Sequence, residues 1–133
     1  MKVLPDTSIW VDYLRAGGKG RTSGLDRLLA DDQVVVTGPV VAELLAGTSS
    51  DGAGQLWAAL SGLPWADLDH EGWASVGEVG GRLRAGGRTL PLIDVVIAVA
   101  AVRFGAQLWT RDRDFDVIGR ALPKLRRYRP SQG

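Results

Sequence analysis

The chain has no cysteine and only one histidine, His70, in 133 residues. The first absence excludes disulfides, thiolate zinc sites and cysteine nucleophiles. The second excludes a histidine metal cluster and leaves any Ser-His-Asp triad dependent on a single residue. His70 itself reads as a surface or helix-start residue. No apolar run has membrane length: the uncharged stretch Val95 to Val102 is far shorter than the roughly 20 residues a spanning helix needs. The N-terminus lacks the basic-then-apolar order of a secretory signal. A soluble cytoplasmic protein with no membrane partner is the expectation. A metal bound by such a chain must be held by oxygen, and oxygen ligands favour Mg²⁺, Mn²⁺ or Ca²⁺.

Apolar residues are plentiful. They make up 45% of the sequence, enough to fill one core, and the length suits one domain rather than two. No internal repeat, low-complexity tract or linker interrupts residues 1–133. The net charge of +1 conceals an asymmetry. From about residue 120 to 133 the chain carries Arg120, Lys124, Arg126, Arg127 and Arg129 and no acidic residue, while the part before it is net negative. A basic tail of this kind suits nucleic-acid phosphates, or simply a solvated end.

The patterning alternates short strands with helices. Lys2 to Leu4 predicts a buried strand, and Thr7 to Arg15 a helix closed by Gly17-Gly18. Thr22-Ser23 starts a second helix carrying Leu25, Leu28 and Leu29. Gln33 to Val36 is β-branched and reads as a strand. Helices follow at Pro39 to Ala46 and Asp51 to Leu60, with a short strand at Trp65 to Leu68. Glu71 to Ala85 reads as a helix despite Gly77, Gly80 and Gly81. Pro91 introduces an apolar helix from Ile93 to Phe104. Ala106 to Trp109 is a strand, Asp112 starts a turn or short helix, and a last strand lies near Leu125 to Tyr128. The five tryptophans read as core or interface residues rather than base-stacking platforms. This order implies an α/β fold: one domain with a short parallel sheet covered by helices on both faces. Ligands of such sheets bind outside the carboxyl ends of the strands.

Four carboxylates fall where they invite attention. Asp6 follows the first strand at once, in VLPDTSIW; it reads as a helix cap or as a site residue. Glu43 lies in PVVAELLAG, where a polar helix face is the plain reading. Asp94 lies in LPLIDVVIAVAAV, a helix apolar all round and therefore buried. Its carboxylate either caps that helix or points into a cavity. Asp112 lies just past the Leu108-Trp109 strand, in TRDRDFD, with Asp114 and Asp116 close behind. If the first strand and the Ala106 to Trp109 strand are neighbours, Asp6 and Asp112 meet at one edge. Clustered carboxylates repel, so they need a cation or a proton. A divalent ion answers that need, activating water and stabilising the leaving oxygen of a phosphodiester; two ions about 4 Å apart can share those tasks.

DTS after the first strand, then VVAELLAG, then GRTLPLIDVVIAVAA, then GAQLWTRDRDF: in this order the motifs resemble a PIN-domain ribonuclease, most closely the VapC toxins of bacterial toxin–antitoxin pairs. The resemblance runs from Val3 to about Ile118. It implies a Mg²⁺- or Mn²⁺-dependent endoribonuclease that arrests growth, a homodimer, and a small antitoxin seated in the active-site groove. Carried over by position, Asp6, Glu43, Asp94 and Asp112 form the acidic quartet. Asp6, Asp94 and Asp112 are the implied metal ligands, and Asp114 competes with Asp112 for the last place. Thr7 or Ser8, with Thr110, are implied to orient the carboxylates from behind. Pro5, where an apolar strand residue is usual, suits the strand's last position. Two other classes bear comparison. A catalytically idle PIN-like module that only binds RNA or protein tends to lose acids, and this chain keeps all four. A phosphoaspartate receiver or phosphatase needs a DxD after the first strand or a late lysine; DTSIW has no DxD, and Lys124 lies in the basic tail.

Overall fold

Two neighbouring strands at the centre of the fold decide where chemistry can occur. The computed structural model describes residues 1–16 and 24–130. Strand β1 (Lys2–Pro5) pairs in parallel with β2 (Ala106–Trp109), with Lys2 opposite Ala106 and Pro5 opposite Trp109. Single parallel bridges widen this pair. Val3 meets Val34 and Val36 meets Trp65 on one side; Leu108 meets Arg127 on the other. The expected strands at Gln33 to Val36, Trp65 to Leu68 and Leu125 to Tyr128 are thus isolated bridges. Pro64 and Pro130 lack the N–H a longer ladder needs, and after Val36 the Thr37 hydroxyl donates to the Ala66 carbonyl at 3.0 Å.

Around this sheet lie α1 (Thr7–Ala16), α2 (Gly24–Ala30), α3 (Gly38–Ala46), α4 (Ser50–Ser61), α5 (His70–Ala85), α6 (Leu92–Phe104) and α7 (Asp114–Ala121). The expected closure at Gly17-Gly18 and the helix start at Thr22-Ser23 lie outside the described residues. Successive strand residues point to opposite faces. Val3 and Leu4 are both fully buried, as are Leu108 and, nearly, Trp109, so the sheet is covered on both faces. Helix α6 is buried from Val95 through Ala101, as its unbroken apolar run requires. It ends at Gly105, whose φ of 82° is a left-handed conformation that glycine adopts without strain and that turns the chain directly into β2. Helix α7 is amphipathic: Phe115 and Ile118 are buried, and each anchors it by about 2 kcal/mol of apolar burial.

The direction of the strands sorts the polar residues. From β1 the chain builds one side of the sheet through Val34 and Trp65, then returns through β2 to build the other. The order reverses between β1 and β2, and open parallel sheets bind ligands beyond the strand ends at such a point. Among the described residues the buried polar or charged side chains are Asp6, Thr37 and Thr110. Each comes immediately after a strand or bridge segment, at the carboxyl edge.

Candidate functional site

Asp6 and Thr110 are the first residues beyond the paired strand ends, and the ladder continues to them: the Asp6 N–H donates to the Trp109 carbonyl at 2.9 Å. Their side chains meet. The Thr110 hydroxyl donates to Asp6 Oδ2 and accepts from the Asp112 N–H at 2.9 Å. One hydroxyl thus joins the edge of β1 to the loop after β2. Asp6 Oδ1 accepts from the Ser8 hydroxyl at 2.6 Å and from the Ile9 N–H at 3.2 Å. The second of these bonds caps α1, so Asp6 serves as helix cap as well as edge carboxylate.

The loop after β2 is built by its own aspartates. Asp112 Oδ1 accepts from the Asp114 N–H at 2.9 Å, a local turn that starts α7 and turns Asp114 back beside Asp112. Asp94 comes from the first turn of α6. One carboxylate oxygen from each of Asp94, Asp112 and Asp114 lies within 4.8 Å of the others. Glu43, exposed on α3, accepts a bond from the Thr7 hydroxyl at 3.2 Å, which ties α3 to the start of α1. All three hydroxyls expected to support carboxylates therefore donate to one: Ser8 and Thr110 to Asp6, Thr7 to Glu43. The capping reading of Asp94 does not hold. Pro91 occupies the cap of α6, and the one bond of that turn, from the Asp94 N–H to the Pro91 carbonyl at 3.0 Å, is made by backbone.

Electrostatics binds these residues into one cluster. Burial pushes the Asp94 carboxyl up to about 6, and the charges of Asp112, Asp114, Asp6 and Glu43 push it the same way. Two carboxylates 4.8 Å apart repel by about 3 kcal/mol at an effective dielectric near 20. Asp6 has three donors against its charge; the Asp94, Asp112 and Asp114 group has no cationic side chain in ion-pair contact among the described residues. Arg111, in the same loop, is paired with Asp12 on α1. The donor set is all oxygen, partly exposed and over-supplied with negative charge, and it fits a hard divalent cation. Among the described residues two cavities, of about 250 and 290 Å³, open along α5; both are lined by Leu83 and Arg88. The carboxylates stand at an open edge.

Sequence reasoning placed Asp112 and Asp114 in competition, whereas the turn between them brings both into the group of three. It also missed Arg127. The basic run pointed to solvent or phosphate, yet the Arg127 guanidinium lies against Thr110 and Asp116. No spacing along the chain signals that contact.

Residues 3–121 match the PIN domain family. Over 123 residues the chain is 35% identical to VapC ribonuclease Mb1587 of Mycobacterium bovis and to Ribonuclease VapC11 of Mycobacterium tuberculosis, covering 89% of this chain and 92% of each relative. The crystal structure of VapBC2 from Rickettsia felis, bound to a DNA fragment from their promoter, contains a chain with a TM-score of 0.75 and 25% identity, covering 96% of this chain and 98% of that one. A chain of DNA-bound VapBC from Salmonella typhimurium has a TM-score of 0.74 at 21% identity, with 96% and 97% covered, a likeness of fold.

Proposed function

This chain belongs to the PIN-domain family and, within it, stands with the VapC ribonucleases, and from that premise we propose that it is a metal-dependent endoribonuclease, the toxin of a toxin–antitoxin pair. The observation that carries the reading is the group of three carboxylates from α6 and the β2–α7 loop, with Asp94 pushed up to about 6. Proposed as catalytic are Asp6, Glu43, Asp94 and Asp112, with Asp114 joining Asp94 and Asp112 around the ion. Mg²⁺ is the proposed ion, and Mn²⁺ meets the same donor set. When bound, it supplies an acidified water and charge neutralisation at a phosphodiester.

The protein's own residues prepare that chemistry. Asp94, Asp112 and Asp114 offer oxygens already close together, so little rearrangement is needed to bind. Asp6 adds charge and, through Thr110, fixes the backbone at Asp112. Glu43, held by Thr7 and open to solvent, is suited to orient the attacking water and accept its proton. An open carboxyl edge admits a polymer, and RNA is the proposed substrate. The domain is taken as residues 1–133, its basic end tied back by the Leu108–Arg127 bridge. A homodimer, a small antitoxin and a cytoplasmic setting complete the proposal. The antitoxin is assigned to the side of α4 where Trp57, 48% exposed, stands edge-on to Trp65.

The test is incubation of the purified chain with structured RNA in Mg²⁺, in Mn²⁺ and in chelator. Cleavage that requires the ion is expected. RNA binding with no cleavage in either ion would make the protein an idle binding module.

A further inference from the structure

Arg127 lies in the basic end of the chain, where charge alone points to solvent or phosphate. Its side chain is only 21% exposed, and its Nε is buried with no hydrogen-bond partner among the described residues. One terminal nitrogen donates to Asp116 Oδ1 at 2.7 Å, the other to the Thr110 carbonyl at 3.3 Å. The base of the side chain is fixed as well. Leu108 N–H donates to the Arg126 carbonyl and Tyr128 N–H to the Leu108 carbonyl, both at 2.8 Å. The Tyr128 ring packs on Trp109 with centroids 5.1 Å apart.

The two acceptors are the informative part. Thr110 ends the β2 edge, and Asp116 lies in the first turn of α7. Asp112 and Asp114 lie between them. A planar guanidinium with donors in a fixed fork therefore spans the loop that supplies two of the three clustered carboxylates. Those carboxylates repel, and the repulsion favours moving the loop away from Asp94. A strap across both ends of the segment opposes that motion.

We propose that Arg127 is a positioning residue: it closes the Thr110–Asp116 segment and so holds Asp112 and Asp114 at the distance from Asp94 that a divalent cation requires. This rests on reading those carboxylates as a cation site. The expected consequence is on metal affinity, since losing the support behind metal ligands weakens binding by about tenfold or more.

The test is Mn²⁺ binding to the full chain, measured by calorimetry well below the melting temperature, together with metal-free melting. Arg127→Ala should weaken Mn²⁺ binding about tenfold. Arg127→Lys should weaken it too, because an ammonium cannot span both acceptors. The double variant of exposed neighbours, Arg126→Ala with Arg129→Ala, should bind Mn²⁺ as the parent does. A purely stabilising role predicts a lower metal-free melting point with parental Mn²⁺ affinity, and that result overturns the proposal. So does parental Mn²⁺ affinity with a reduced salt slope of RNA binding, which makes Arg127 a phosphate contact. If Arg127→Ala does not fold, Asp116→Ala releases one arm of the strap and leaves the tail intact. It should weaken Mn²⁺ binding several-fold, and parental affinity in it overturns the proposal. A parent chain that binds no Mn²⁺ overturns the cation site itself, and this proposal with it.

Discussion

Two aspartates stand at the starts of two helices that pack together, α5 and α6, and the fold treats them oppositely. Asp69 caps α5. Its carboxylate accepts from the Gly72 N–H at 2.8 Å and from Arg103 at 3.1 Å, the latter reaching over from the far end of α6. The Gly72 bond, aided by the Arg103 charge, holds it below the usual carboxylate range. Asp94, in the first turn of α6, has neither kind of partner among the described residues. Burial and four neighbouring carboxylates push it up to about 6. A helix start does not by itself make a carboxylate structural. What decides is whether donors reach it, and among the described residues none reaches the Asp94 carboxylate.

The comparison breaks most sharply under Asp94→Asn. That change removes one charge and keeps the shape. Cleavage should fall at least a hundredfold, because the proposed ion would lose a ligand; single-turnover RNA cleavage measures it. The metal-free variant should nonetheless melt no lower than the parent. A shift of two pKa units corresponds to just under 3 kcal/mol, and for a half-buried group solvent screening reduces that to about 1 kcal/mol. The expected gain is therefore about 2–5 °C. Mg²⁺ should raise the melting point of the parent more than that of the variant, since only binding to the native state stabilises. An active, unshifted variant would make Asp94 another Asp69.

The pH dependence sharpens the same contrast, with a smaller effect. Asp94 has a folded value of about 6, above the roughly 4 of an unfolded aspartate. The fold therefore disfavours its ionised form. That cost is absent below about pH 4, grows through the window up to 6 and is complete above it. Metal-free parent should lose stability against Asp94→Asn as pH rises through this window. Saturating Mg²⁺ should reverse the trend, because the ion needs the ionised carboxylate. Melting curves at pH 4, 5, 6 and 7, with and without Mg²⁺, decide it. A constant difference between the two proteins across that range would refute the assignment.

How much of this was legible in the sequence follows from what kind of contact each feature makes. Asp6 and Asp112 could be placed because each follows a strand whose apolar run is written in the chain, and the parallel pairing aligns the two ends. Helix α6 was readable from Pro91 and its unbroken apolar run, and α5 was expected over Glu71 to Ala85 despite its glycines. The role of Asp94 was not, because a carboxylate three residues past Pro91 fits a cap as well as a ligand; only the closeness of Asp112 and Asp114 separates the two. The joint use of Asp112 and Asp114 depends on one side-chain-to-backbone turn, which TRDRDFD permits and does not dictate. Strand lengths were overstated at Val34, Trp65 and Arg127, where single bridges form: a short apolar run such as Val34 to Val36 specifies burial but not how many ladder bonds form. Arg127 was illegible: its partners Thr110 and Asp116 are distant in sequence, and within a basic run it looks like any other charge.

The mildest test is Asp69→Asn, and its value lies in how little should change. Asparagine accepts at a helix cap about as well as aspartate, so the Gly72 bond should survive. What is lost is the charge pairing with Arg103, an exposed pair of the kind worth little in water. The melting point at pH 7 should move by no more than a degree or two, and RNA cleavage not at all. The pH profile carries the signature instead. A carboxyl held below its unfolded value stabilises the fold above that unfolded value, and the contribution fades as pH falls through the folded one. Parent and variant should therefore differ slightly near neutrality and converge as pH falls below the usual aspartate range. This is opposite in sign to Asp94→Asn, whose advantage over the parent grows with rising pH. If Asp69→Asn instead reduced cleavage at constant stability, the Asp69–Arg103 pair would be acting on the far side of α6 as part of the catalytic apparatus, and the division between the satisfied and the unsatisfied aspartate would have to be redrawn.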